Sequence, residues 1–233
     1  MLRRLFSTAP FLRPEEYVQS INFTTTDDIK MPLFQVIDVE GNVIPGAEQY
    51  ADIEKGTLNK MMKTMLTSEI FDEVFVEEQT LGQISFYLTN WGEEALHAGS
   101  VAALDPDDMI FCQYRELGVF FYRGFSIDEA VHGCYCNELD NHKGRMMPIH
   151  YGTSDLNIHS ISSPLGTQIS HAAGVGYSFR FRKQPLVSTV YLGDGSASEG
   201  DASVALNFAA TRLAQTLFIC RNNQYAISTP IEN

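Results

Sequence analysis

An α/β architecture, a parallel sheet flanked by helices, is the fold class this sequence predicts, and three observations lead to it. Leu186 to Leu192 is an apolar run with β-branched residues that ends on Gly193-Asp194-Gly195, as a buried strand running into a tight turn does. Ala202, Leu206, Ala209 and Leu213 then step by four, three and four, the period of an amphipathic helix with those side chains inward. Thr216 to Cys220 is a second apolar strand, closing at Arg221-Asn222-Asn223. Strand, helix, strand is a βαβ unit, and its crossover makes the two strands parallel.

The elements before this unit follow in order. Met1 to Pro14 carries Arg3, Arg4 and Arg13, a serine and a threonine, and no acid before Glu15. That is the character of a mitochondrial import segment, expected over residues 1–20, against the plainer reading of a terminus that happens to be basic. Residues 21–57 read as an N-terminal arm: Pro32, Gly41, Pro45 and Gly46 bracket the short strand-like runs FQVIDV and NVI. Residues 58–233 are the main domain. Leu58 to Gln83 reads as a helix, with Met61, Met65, Ile70, Phe71 and Phe75 as core candidates. Gly92 to Leu104 is a helix of small residues that another backbone can approach closely, stopped by Asp105-Pro106-Asp107-Asp108. Met109 to Tyr114 reads as a strand.

Composition narrows the partners. The chain is 44% hydrophobic and 19% charged, an ordinary balance for a globular protein able to bury a core. Its net charge of -13 argues against nucleic acid or an anionic membrane surface. No run has the length of apolar residues a membrane span needs. Any phosphate held here needs local geometry, a metal or a few placed cations. Cys112, Cys134, Cys136 and Cys220 lack paired metal spacing and read as buried, reduced thiols rather than a zinc site.

Chemistry is expected at the carboxyl ends of the parallel strands, where ligands of open α/β sheets sit. Asp194 and Asn223 fall at two such ends, and a carboxylate, a carboxamide oxygen and a backbone carbonyl suit magnesium. Gly193, Gly195 and Gly200 allow backbone to approach a phosphate. Alone, that turn is equally an ordinary βα connection. Arg115, in Gln113-Tyr114-Arg115-Glu116, reads as a phosphate fork or as a surface ion pair. Ser163 reads as a helix N-cap with Pro164 at the first helical position. His150, in Met147-Pro148-Ile149-His150-Tyr151-Gly152, reads as an active-site neighbour or as a structural histidine.

Taken together, GDGSASEGD, LNFAA, CRNNQYAIST, QYRE, MPIHYG and ISSPLGTQ resemble the alpha subunits of thiamine-diphosphate-dependent 2-oxoacid dehydrogenases, most closely the branched-chain type. The resemblance runs from about Lys30 to Pro230 and implies the thiamine-diphosphate-binding fold. It implies magnesium held by Asp194, Asn223 and the Tyr225 carbonyl. Cofactor contacts are implied for Tyr114, Arg115, Ser163, Leu165, Gly193, Gly195, Ser196 and Arg221. A structural potassium ion is implied at Ser162, Pro164, Thr167 and Gln168. Two positions depart from the pattern: Gln224 stands where glycine is expected, which bears on delivery of the Tyr225 carbonyl, and Ser170 where proline is expected.

The implied activity is oxidative decarboxylation of a branched-chain 2-oxoacid, with the acyl group passed to the lipoyl group of a partner acyltransferase in the mitochondrial matrix. The family's alpha chain works with a beta subunit in an alpha-two beta-two assembly, and the beta subunit supplies the glutamate that activates the cofactor. No residue of this chain is therefore assigned as catalytic. The family continues past the point where this chain stops, through a loop with an active-site histidine and regulatory serines, so the domain is expected to be C-terminally incomplete. The alternatives are a pyruvate-type alpha subunit and a truncated, non-catalytic protein that binds the beta subunit.

Overall fold

The computed structural model describes residues 32–231; the import segment expected over residues 1–20 lies outside them. The chain divides into two compact units, Met1–Lys55 and Gly56–Asn233. In the first, Ile37 and Val43 form an antiparallel bridge, and Phe34 meets Tyr50 edge to face at 5.2 Å. One short helix, α1 (Glu48–Ala51), follows.

The second unit is a parallel sheet covered on both faces. Its strands are β1 (Met109–Phe111), β2 (Ile158–His159), β3 (Ser188–Gly193) and β4 (Thr216–Arg221), ordered β2-β1-β3-β4 with every pair parallel. The helices are α2 (Lys55–Thr80), α3 (Glu94–Ala102), α4 (Leu117–Arg123), α5 (Ile127–Tyr135), α6 (Thr167–Phe181), α7 (Asp194–Ala197) and α8 (Gly200–Arg212). A small hairpin, β5 (Tyr225–Ala226) with β6 (Thr229–Pro230), closes the described chain.

Alternation along the strands divides the core in two. Phe111, Val190 and Leu192 face α6 and α8, where they meet Ile169, Ala172, Ala202 and Ala205. Ile110, Cys112 and Tyr191 face the opposite way, onto Phe71, Phe75, Val101, Leu117 and Phe120 of α2, α3 and α4. A strand buried on both faces reads as a nearly continuous apolar run, which is why β3 is recognisable in the sequence; β4, half-buried at the sheet edge, keeps the same apolar character.

Four local expectations are corrected. Leu206 and Leu213 do not face inward: they are 48% and 41% exposed, while Ala202, Ala205 and Ala209 are buried. The cause is close packing of α8 against α6, where only methyl-sized side chains fit. Ile70 is likewise exposed, and α2 buries Thr64, Ser68, Phe71, Asp72 and Phe75. The third concerns α6, which begins at Thr167 and not at Pro164. Its N-cap is Gly166 at φ +82°, so Ser163 caps nothing. The left-handed glycine turns the chain before the helix starts, and Thr167 Oγ1 donates to the Pro164 carbonyl at 3.0 Å. Of the cysteines, Cys112 and Cys134 are buried, Cys136 half-buried and Cys220 exposed on β4; all are free thiols. The exposure of Cys220 corrects the expectation that all four are buried.

Asp72 ties this helical layer to the sheet side. Its carboxylate accepts from Tyr87 Oη at 2.7 Å and from the Asn90 backbone and side-chain N–H groups, while Asn90 Oδ1 accepts from the Leu117 amide at 3.2 Å. Burial pushes the Asp72 carboxyl upward, and those donors oppose the shift. The segment from Asn90 to the start of α3 is thereby fixed, and Glu93 stands on it.

Candidate functional site

In the order β2-β1-β3-β4, the direction of chain progression reverses between β1 and β3. Such a switch point opens a crevice at the carboxyl ends of the strands. Three of the sequence-predicted segments end there: Gln113-Tyr114-Arg115 after β1, Asp194-Gly195-Ser196 after β3, and Arg221-Asn222-Asn223 at the end of β4. The register pairs Gly193 with Arg221 directly.

Arg221 is the centre of a buried network. Its Nη1 donates to both carboxylate oxygens of Glu93, at 3.1 and 2.8 Å. Its Nε is ion-paired with Glu116, and its Nη2 donates to Gln113 Oε1 at 3.0 Å. Gln113 Nε2 donates in turn to Ser196 Oγ at 2.9 Å, and the Gln113 amide N–H donates to Glu116. One carboxamide therefore joins the ends of β1, β3 and β4. Ser196 accepts that bond and keeps its own hydroxyl hydrogen for a ligand.

Charge in this network is not positive. Two carboxylates surround one guanidinium, and His97, 3.9 Å from Glu93 Oε2, is neutral: burial first, then Arg221, lowers it to about 3. Burial also raises Glu116, against the pull of Arg221. Glu93, His97 and Glu116 have the spacing of a metal triad, but the cation between the carboxylates is Arg221. Among the described residues, neither ring nitrogen of His97 has a hydrogen-bond partner.

Ser163 lies beside His150 at the neighbouring rim. His150 Nδ1 donates to the Pro148 carbonyl at 2.9 Å, so Nε2 is the acceptor and takes the Ser163 hydroxyl hydrogen at 2.8 Å. Ile149, buried at φ +62°, supplies the turn that lets the ring reach back. The Tyr114 ring stands 6.4 Å from His150, and Arg115 donates to the Thr89 carbonyl at 2.6 Å. Among the described residues no carboxylate pairs with Arg115, unlike Arg221.

The G-D-G turn and the double asparagine meet through the hairpin. A Cβ on Gly195 would stand 2.9 Å from Ala226 Cβ, so glycine is needed there for the β5 approach, whereas a Cβ on Gly193 would meet nothing closer than 3.8 Å. Asn223 Oδ1 accepts from the Tyr225 amide at 3.0 Å, and Asn222 Oδ1 from the Gln224 amide at 2.9 Å. Gln224 adopts φ +70°, the left-handed conformation that favours glycine. The turn forms without glycine.

Around the Gly166 turn, Gln168 Oε1 is buried with no hydrogen-bond partner among the described residues, while its Nε2 donates to the Tyr191 carbonyl at 3.4 Å. Ser162 and Thr167 are half-buried beside it in sequence, and Pro164 and Leu165 are exposed. An orphaned buried amide oxygen is a fitting donor for a hard cation.

Sequence reasoning did not assign Glu93, His97, Gln113 or Glu116 to the site. The available signal was Gln113 and Glu116, two polar residues flanking the end of a strand buried on both faces; Glu93 and His97 had none.

A parallel sheet with a topological switch point and polar side chains gathered at the carboxyl ends of its strands define an α/β protein of the doubly wound class. The chain belongs to the dehydrogenase E1 component family, which it matches over residues 62–233. It is 46% identical over 202 residues to the 2-oxoisovalerate dehydrogenase subunit alpha 1, mitochondrial, of Arabidopsis thaliana, covering 87% of this chain and 43% of that protein. It is 44% identical over 220 residues to the Caenorhabditis elegans subunit alpha, covering 94% and 51%. The human subunit alpha is 43% identical over 216 residues, covering 92% and 48%. The chain thus spans about half the length of the curated relatives it matches.

Proposed function

We propose that this chain is the cofactor-holding part of an alpha subunit of a mitochondrial branched-chain 2-oxoacid dehydrogenase. The observation that carries the reading is the register of β3 with β4, which sets the Asp194 turn beside the Asn223 turn at one sheet edge. Its relatives are named 2-oxoisovalerate dehydrogenase, after a branched-chain oxoacid.

In this reading Asp194, Asn223 and the Tyr225 carbonyl hold magnesium, and the charge balance supports the need for it. With Arg221 already faced by two carboxylates, a diphosphate requires another cation, and Arg115 alone does not match it. Gly193 and Gly195 admit the phosphates, and Ser196 and Arg221 donate to them. Ser163, its hydrogen spent on His150, offers lone pairs, while Tyr114 and Leu165 line the rim. The orphaned oxygen of Gln168, with Ser162, Pro164 and Thr167, fits potassium and would brace the loop that carries Ser163. When bound, thiamine diphosphate supplies the electron sink for decarboxylating a 2-oxoacid. The chain's own residues bind and orient it; a beta subunit in an alpha-two beta-two assembly completes the site, and a lipoyl-bearing acyltransferase receives the acyl group.

The test is calorimetric binding of thiamine diphosphate to the full chain with and without magnesium, followed by turnover with the beta subunit. The expected result is magnesium-dependent binding that Asp194→Ala abolishes, and turnover of 3-methyl-2-oxobutanoate well above that of pyruvate. Binding indifferent to magnesium and to Asp194→Ala overturns the metal assignment. A preference for pyruvate overturns the substrate class, and cofactor binding without turnover favours a non-catalytic, partner-binding chain.

A further inference from the structure

The partners of Arg221 are not equivalent. Glu116 is fully buried behind the guanidinium, at the foot of α4, and also accepts from the Gln113 backbone. Glu93 lies at the start of α3, and its side chain retains 17% exposure against 5% for Arg221. Both oxygens of Glu93 sit on the single nitrogen Nη1, occupying a face of the guanidinium that a phosphate would need. Counting donors, Nη1 is taken by Glu93 and one hydrogen of Nη2 by Gln113, while Nε faces Glu116 as an ion pair without hydrogen-bond geometry. A single Nη2 hydrogen remains for an incoming anion.

Resting on the assignment of Arg221 to the diphosphate, we propose that Glu93 is an internal stand-in for the ligand's phosphate, which gives up Nη1 when a diphosphate binds. Glu116 and Gln113 are positioning residues that keep the guanidinium aimed throughout. Glu93 is able to leave by rotation of its part-exposed side chain, while the Asn90 carbonyl holds its backbone amide in place. Its displacement leaves the carboxylate near His97 and solvent, and Arg221 keeps one carboxylate instead of two. The buried ion pair then becomes a triad of guanidinium, Glu116 and phosphate, with Gln113 holding Ser196 to the same anion.

The two glutamates therefore have opposite signs as charge-removing variants, which a purely structural role does not give. The probe is magnesium pyrophosphate, titrated into the full chain by calorimetry, with thiamine diphosphate in parallel. Trp91 is the chain's one tryptophan and stands two positions from Glu93, so its fluorescence reports the displacement. Glu93→Gln keeps the shape and removes the competing charge: pyrophosphate affinity should rise about tenfold, and the Trp91 response on binding should shrink. Glu116→Gln should lower affinity about tenfold, and Glu116→Asp should recover part of it. Thermal melting of each variant establishes that it is folded.

Glu93→Gln with unchanged or weaker binding overturns the proposal. If the wild-type chain binds pyrophosphate but not thiamine diphosphate, and Glu93→Gln still tightens, the cofactor reading fails and the exchange stands. Binding of neither probe by the wild type and Glu93→Gln overturns both.

Discussion

Gln113 donates to Ser196 Oγ at 2.9 Å and accepts from Arg221 at 3.0 Å, so its amide joins the turn after β3 to the end of β4. Gln113→Ala removes both bonds at once, from a side chain that is buried. Ser196 and Arg221 should then lose their mutual alignment, with affinity for magnesium pyrophosphate falling about tenfold. Gln113→Glu should be worse, because a third carboxylate would face one guanidinium. Calorimetric titration of both variants checks the order.

A Cβ on Gly176 would stand 2.1 Å from Thr216 Oγ1 and 2.8 Å from the Gln215 carbonyl. Helix α6 thus lies directly on the entry to β4. Gly176→Ala should destabilise the chain by about 1–3 kcal/mol despite the better helix propensity of alanine. Denaturant unfolding measures it, and the pair with Thr216→Ala should recover part of the loss.

The hairpin holds two residues in the left-handed region, Gln224 at φ +70° and Ile227 at φ +58°. Neither is glycine, and the β-branched Ile227 is fully exposed, with no packing to offset the cost. Gln224→Gly and Ile227→Gly should each stabilise the hairpin by about 1 kcal/mol, read as a rise in Tm or in amide protection over 224–230. Gln224→Gly should also tighten magnesium-dependent cofactor binding, since the Tyr225 carbonyl would be set in place at lower cost.

His97 supplies a pH dependence whose sign follows from its burial. Its folded value of about 3 lies below the unfolded value of about 6.5. The unfolded chain therefore binds the proton more readily, and stability is complete above pH 6.5. It is lost as pH falls from there toward 3, with a slope approaching ~1.4 kcal/mol per pH unit. Denaturant midpoints at pH 7, 6, 5 and 4 test this: His97→Gln should flatten the decline, and an unchanged slope assigns the acid loss elsewhere.

The parallel βαβ unit was legible because β3, buried, and β4, half-buried at the edge, both leave short apolar runs bounded by turn residues. Asp194 and Asn223 were legible because the turns after those strands follow from the same topology. The faces of α8 were not: Leu206 has the period of a core residue, but the packing distance between α6 and α8 admits only Ala202, Ala205 and Ala209. The start of α6 was misplaced because Ser163-Pro164 has the chemistry of a cap, while the turn is made two residues on by Gly166. Glu93 and Arg221 meet only through the fold, across most of the domain's sequence, and no local pattern announces such a pair.

The contact between Gly195 and Ala226 makes the two halves of the proposed metal site one mechanical part. A side chain added at Gly195 would lever the hairpin away before touching any ligand, and Tyr225 would travel with it. Loss of function at that glycine would therefore be transmitted by leverage rather than by blockage, and trimming the opposing Ala226 to glycine is the change that should restore it.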